Sequence, residues 1–256
     1  MKKVLVLFFA VFVFMVLFPA GHSSAQPVEL LVGAAMSLRD VTVDLATAFE
    51  AANPHVTMEF TYASSGALQR QIEEGAPIDV FMSAAVAQMR NLEEQGLIYG
   101  QSRNLITNRV VLIVPAGSDA GIAGFADVTD DAIRLIGVGD PEAMPIGTFA
   151  RDIFRALGIA DEVYEKAVLA SEVRQLLTWV ELGEVDAGVV FMTDAATTDR
   201  VRVVEVADRA LHTPSINPVG IIESSSHKEE AQRFIDFLFS NEARVIFERF
   251  GFSMYQ

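Results

Sequence analysis

Val28-Glu29-Leu30-Leu31-Val32-Gly33-Ala34-Ala35-Met36-Ser37-Leu38 is the stretch whose reading decides the fold class. Val28 to Val32 is an apolar run of strand length, and Gly33 is its expected end. From Leu38 the apolar residues fall at 38, 41, 45, 48, 49 and 52, a helical period. Ser37 stands immediately before that run, where an N-cap belongs. Asn53-Pro54 stops the helix. Val56, Met58, Phe60 and Tyr62 then alternate with Thr57, Glu59 and Thr61, which predicts a strand with two different faces. Strand, helix and strand in that order form the unit of an α/β protein with parallel strands.

The alternation continues in both directions from this unit. Ser64-Ser65 precedes a short helix over 66–74, closed by Gly75. A strand is expected over 78–82, and a helix over 84–95 with Gly96 as its stop. In the second half, strands are expected over 110–114, 135–138, 187–191 and 216–222, the last interrupted by Pro218. Helices are expected over 147–157, 172–182, 228–240 and 242–250. The pattern predicts mixed, mainly parallel sheets with helices on both faces. No linker, low-complexity tract or strict repeat divides it.

The chain has 256 residues, no Cys and 51% apolar residues. That composition excludes a disordered chain, disulfide scaffolds, thiolate metal sites and Cys nucleophiles. Residues 1–25 read as a secretory signal. Lys2 and Lys3 form its positive start, Val4 to Phe18 its apolar run, and Ser23-Ser24-Ala25 its cleavage region. The apolar run is short of the roughly 20 residues that span a bilayer. Cleavage after Ala25 would release residues 26–256, exported most simply to a bacterial periplasm. That remainder holds 17 basic against 34 acidic side chains. So acidic a chain lacks the basic face that nucleic-acid binding needs.

Catalytic constellations are missing from the sequence. It has no G-x-S-x-G and no P-loop, and Gly137-Val138-Gly139 lacks the third glycine of a dinucleotide site. His55, His212 and His227 are far apart. Three strand-to-helix junctions stand out instead: Ala34 to Leu38, Ala63 to Gly66, and Ala170 to Val173. Each helix start offers unpaired N–H groups and the positive end of a dipole, and Ser37 and Ser65 add hydroxyls. Junctions that converge on one crevice suit an anion. Charge-assisted hydrogen bonds contribute roughly 1.5–3 kcal/mol each. About five to seven of them reach sub-micromolar affinity after ordering and desolvation. A pocket of donors favours a fully ionised oxyanion, because a protonated one sets its O–H against a donor.

The sequence resembles the periplasmic molybdate-binding proteins of ABC importers. The resemblance is carried by Gly33 to Leu38, Tyr62 to Leu68, and Gly75-Ala76-Pro77-Ile78-Asp79-Val80-Phe81-Met82. It continues in Gly137-Val138-Gly139-Asp140-Pro141-Glu142 with Pro145-Ile146-Gly147, in Glu172-Val173-Arg174, in Asp186 to Phe191, and in Phe250-Gly251-Phe252. It spans nearly all of residues 28–253.

The resemblance implies a two-lobed periplasmic-binding-protein fold of the type II kind, closing on a tetrahedral oxyanion in the cleft between the lobes. Ser37 and Ser65 would donate from the first lobe. The backbone of Ile146 and Val173 would donate from the second. Phe191 stands where the family often has a tyrosine whose hydroxyl meets the oxyanion, and Phe cannot donate. Thr193 is a candidate substitute. Molybdenum would enter only as molybdate through these residues, with no cofactor and no other metal. The first lobe would take residues 26–110 and 214–256, the second 111–213, with the hinge near 108–112 and 213–217. The partners implied are molybdate or tungstate and an inner-membrane permease with its cytoplasmic ATPase, served by a monomer without catalytic activity. Carriers of sulfate, phosphate, an organic anion or ferric iron are alternatives, as is a periplasmic enzyme using Ser37 or Ser65 as nucleophile.

Overall fold

The computed structural model describes residues 27–142 and 144–256. The expected signal segment, 1–25, lies outside the described residues. Among the described residues no helix is long and apolar enough to cross a membrane.

The chain begins with β1 (Val28–Ala35), a single 3-10 turn (Met36–Leu38) and α1 (Arg39–Ala52). Next come β2 (Val56–Ala63), α2 (Ser65–Glu73), β3 (Val80–Met82), α3 (Val86–Glu94) and β4 (Ile98–Asn108). A second group follows: β5 (Val110–Pro115), β6 (Ile136–Gly139), α4 (Pro145–Ala156), α5 (Ala160–Glu165), β7 (Ala167–Ala170) and α6 (Val173–Leu182). It closes with β8 (Ala187–Phe191), α7 (Met192–Ala195) and β9 (Val201–Val206). The chain then returns through β10 (Ser215–Ile222), α8 (Lys228–Leu238), α9 (Asn241–Arg249) and β11 (Phe252–Met254).

The strands form two sheets, ordered β11-β4-β10-β3-β1-β2 and β7-β6-β8-β5-β9. The chain passes between them twice, from Asn108 to Val110 and from Val206 to Ser215. Each sheet is the centre of one lobe and is covered on both faces, because its strands alternate. Leu30, Val32 and Ala34 of β1 bury into a core with α1, α8 and α9, while α2 and α3 cover the opposite face. Val110, Leu112 and Val114 of β5 bury against α4 and α5, while Val111 and Ile113 bury against α6.

The expectation of mainly parallel sheets needs correction. β1 is parallel to β2 and β3, and β6 to β7 and β8. β10 is antiparallel to β3 and β4, β11 to β4, and β5 to β8 and β9. The strands that cross between lobes cause this. β4 and β10 run side by side in opposite directions in the first sheet, and β5 and β9 do so in the second, so each sheet acquires an antiparallel half.

Two local readings also change. Gly33 lies within β1 and does not end it. A Cβ there would stand 3.1 Å from Ile78 Cδ1, so the glycine admits that side chain against the strand. Ser37 does not cap α1. It sits inside the 3-10 turn, whose N-cap is Ala35, and it is exposed.

Candidate functional site

A cavity of about 310 Å³ opens between the lobes. Its walls follow the carboxyl ends of parallel strands. Ser37 comes after β1, Ala84 after β3, Ile146 after β6, Val173 after β7 and Phe191 at the end of β8. This is where ligands sit in open α/β sheets. Asn108, Ser215 and Asn217 of the crossing strands and Phe252 of β11 complete the lobe-1 side. Met144, Pro145, Thr193 and Asp194 complete the lobe-2 side. Four of the five residues expected from sequence, Ser37, Ile146, Val173 and Phe191, line this one cavity. Ser65 does not. It stands behind the wall, where its Oγ accepts a 2.9 Å bond from the N–H of Ala84. That bond uses a lone pair and leaves the hydroxyl proton to donate.

On the first lobe, local chemistry leaves hydroxyls available. Ser64, not Ser65, caps α2, its Oγ accepting from Ala67 N–H at 3.2 Å. Ser65 is thereby released from capping. Ser37 makes no cap bond either, because the 3-10 turn separates it from the start of α1.

On the second lobe, close backbone packing places peptide groups at the cavity. A Cβ on Gly147 would run into the Gly139 carbonyl, and one on Gly139 would come within 3.0 Å of Gly147 N. The two glycines seat the first turn of α4 on the end of β6. Asp140 fixes the loop between them. Its Oδ1 accepts from Glu142 N–H at 2.9 Å, and its N–H donates to Ala170 O at 2.8 Å. Pro145 opens α4 without an N–H of its own, and Gly147 and Thr148 both donate to Met144 O. Ile146 is therefore the residue of that turn whose N–H has no partner among the described residues. Its side chain is 1% exposed and belongs to the core, so only its peptide can serve a ligand. α6 starts the same way: Glu172 caps without a side-chain bond, and Leu176 is the first residue to bond back, to Glu172 O.

Phe191 meets Phe149 edge-on at 5.7 Å and presents an apolar face to the cavity. The Thr193 hydroxyl accepts from Asn108 Nδ2 at 2.9 Å, which ties α7 to the end of β4. Asp194 is the site residue that sequence reasoning missed. Burial pushes its carboxyl up to about 6, partly offset by the bond it accepts from Phe191 N–H. Its spacing of three after Phe191 is an N3 helix signature, but nothing in the sequence brings it to a cleft. No Lys, Arg or His lines the cavity. Neither Ser37 nor Ser65 is hydrogen-bonded to a His or a carboxylate among the described residues, as a nucleophile would need.

Two lobes joined by two crossing segments, with helix starts from both converging on a cavity free of cations, define a solute-binding protein. Residues 30–253 match the bacterial extracellular solute-binding proteins, and the chain belongs to that family. It is 36% identical over 235 residues to YvgL of Bacillus subtilis, assigned as an ABC transporter substrate-binding lipoprotein, covering 91% of this chain and 90% of that one. It is 32% identical over 239 residues to the molybdate-binding protein ModA of Haemophilus influenzae, covering 91% and 93%. Among solved structures, a substrate-binding domain assigned to a molybdenum ABC transporter of Clostridium difficile superposes with a TM-score of 0.86. The two share 35% identity over 90% of this chain and all of the other.

Proposed function

We propose that this protein captures molybdate, and tungstate with it, and hands it to an ABC permease powered by a cytoplasmic ATPase. It performs no chemistry on the ion. The observation that carries this reading is the composition of the cleft. Peptide and hydroxyl donors come from both lobes, and no cationic side chain is present. A dianion held this way is bound by short-range dipoles in a protein whose net charge repels it at long range. The likeness to ModA supports molybdate as the ion.

Ser37 and Ser65 donate hydroxyls from a first lobe of residues 26–110 and 214–256. Ile146 and Val173 donate peptide N–H groups from a second lobe of residues 111–213. Phe191 walls the site. The hinge lies near 108–112 and 213–217, and closure about it completes the donor shell and signals the permease. The protein works as an exported monomer, in the periplasm, after cleavage near Ala25.

Calorimetric titration of ligand-stripped residues 26–256 tests the reading, with molybdate, tungstate, sulfate and phosphate run in parallel. Tight one-to-one binding of molybdate and tungstate with weak sulfate is expected. Preference for sulfate or phosphate, or binding of none, overturns it.

A further inference from the structure

A second cavity, of about 220 Å³, adjoins the cleft at the hinge and shares Asn108 and Ser215 with it. Its chemistry is the reverse of the cleft's. Arg109, Arg209 and His212 all line it, in a chain whose residues 26–256 hold twice as many acidic as basic side chains. Neither Arg109 nor Arg209 takes part in an ion pair among the described residues. The acid next in sequence, Asp208, accepts from Ala210 N–H at 2.9 Å instead.

The cavity also borders polar atoms that are buried and unsatisfied. The Oγ1 of Thr107, in a residue only 5% exposed, has no hydrogen-bond partner, and neither has the Nε of Arg109. Burying such groups unpaired costs about 1–3 kcal/mol each. Native proteins leave few of them, and an unoccupied ligand site is one physical reason for a cluster. Of the three unsatisfied groups beside it, Arg109 Nε is a donor, the Thr107 hydroxyl can donate, and Asn108 Oδ1 is an acceptor. The Nδ1 of His212 lies 2.8 Å from Thr213 O, which assigns the ring proton to Nδ1 when the imidazole is neutral and orients the ring.

We infer that the hinge cavity is a second anion site, distinct from the cleft, for a small dianion presenting carboxylate or phosphate oxygens. Two guanidinium forks match paired oxygens of that kind. The volume admits a phosphate or a short dicarboxylate. Such an ion neutralises Arg109 and Arg209 together. It also bridges the first crossing segment to the residues that lead into the second.

The test uses residues 26–256 saturated with molybdate, titrated calorimetrically with malonate in one arm and inorganic phosphate in the other, at constant ionic strength in chloride. One equivalent of malonate or phosphate should bind, and the arm that responds identifies the carboxylate or the phosphate chemistry. Arg209→Gln, on an exposed side chain that folding does not need, should weaken this binding at least tenfold and leave molybdate affinity within twofold. Arg109→Gln should do the same. Saturable binding of neither anion overturns the inference, as does binding that Arg209→Gln leaves intact. Should molybdate fail to bind, the same titration on the ligand-free protein still separates the sites. Loss through Ser37→Ala places the anion in the cleft and overturns the hinge site, and loss through Arg209→Gln supports it.

Discussion

The two walls of the cleft reach the same end by different means. The first lobe presents the Ser37 hydroxyl, released by a 3-10 turn, and holds the Ser65 hydroxyl behind Ala84, released from capping because Ser64 caps α2. The second lobe offers peptide groups beneath apolar side chains, held in place by the contact of Gly139 with Gly147. A hydroxyl wall is written in the residues proposed to meet the ion. A peptide wall is written in residues that touch each other. The first is therefore sensitive to substitution at the site, and the second to substitution beside it.

The largest effect should fall on the peptide wall, through a residue that never meets the ligand. Gly147→Ala drives a methyl into the Gly139 carbonyl and lifts the first turn of α4. Molybdate affinity should fall more than about 100-fold and stability by about 1–3 kcal/mol, measured by calorimetry and urea unfolding. Ile146→Val, at the supposed contact itself, should change affinity less than about twofold, since the peptide is untouched. Equal losses from the two would erase the distinction between the walls.

Next comes the hydroxyl wall. Ser37→Ala and Ser65→Ala each remove a charge-assisted bond of roughly 1.5–3 kcal/mol, an expected loss of about 10- to 100-fold. Arg39→Gln and Arg70→Gln should change affinity much less than Ser65→Ala. If the arginine changes matter as much, charge and not dipoles holds the ion.

Phe191→Tyr sharpens the comparison by adding a hydroxyl to the peptide wall. A gain of about 1 kcal/mol, roughly fivefold in affinity, is expected from one new hydrogen bond. No gain would mean that the ring is turned away from the oxyanion.

The smallest effect on affinity concerns Asp194. Its folded value of about 6 lies above the ordinary 3.8. The folded state therefore holds this proton more tightly than the unfolded chain does. The resulting stability is full below pH 3.8, declines as pH rises, and is lost above about 6. Asp194→Asn should flatten that part of the Tm profile and stabilise the protein at pH 7.5 by about 2 kcal/mol. Molybdate affinity of the parent should also rise modestly as pH falls toward 6, because a negative charge leaves the cleft wall. A flat profile in both measurements would show that Asp194 is solvated.

Much of the fold was legible because its strands and helices differ in period. β1, α1 and β2 follow from the spacing of their apolar residues alone. β4 was not legible. Tyr99 to Asn104 are polar and mostly exposed, without the alternation of a half-buried strand. They are extended because β10 bonds along nearly the whole strand, with β11 on its other side at the hinge end. The apolar contact residues of the second lobe came from family likeness and not from chemistry, since Ile and Val carry no signal of anion binding. Asp194 carried only an N3 helix signature, and the cluster of Arg109, Arg209 and His212 gave no signal. Arg109 and Arg209, which line one cavity, stand 100 residues apart in the chain.

The sequence by itself determined the class of fold and the order of its main strands and helices, because these depend on residues within one or two turns of each other. Only the tertiary structure decided which starts share a cavity, that Ser65 stands behind Ala84, and that cations without an ion-pair partner among the described residues meet beside the crossing segments. Those outcomes depend on how two sheets register across two crossing segments, and no local pattern encodes that register.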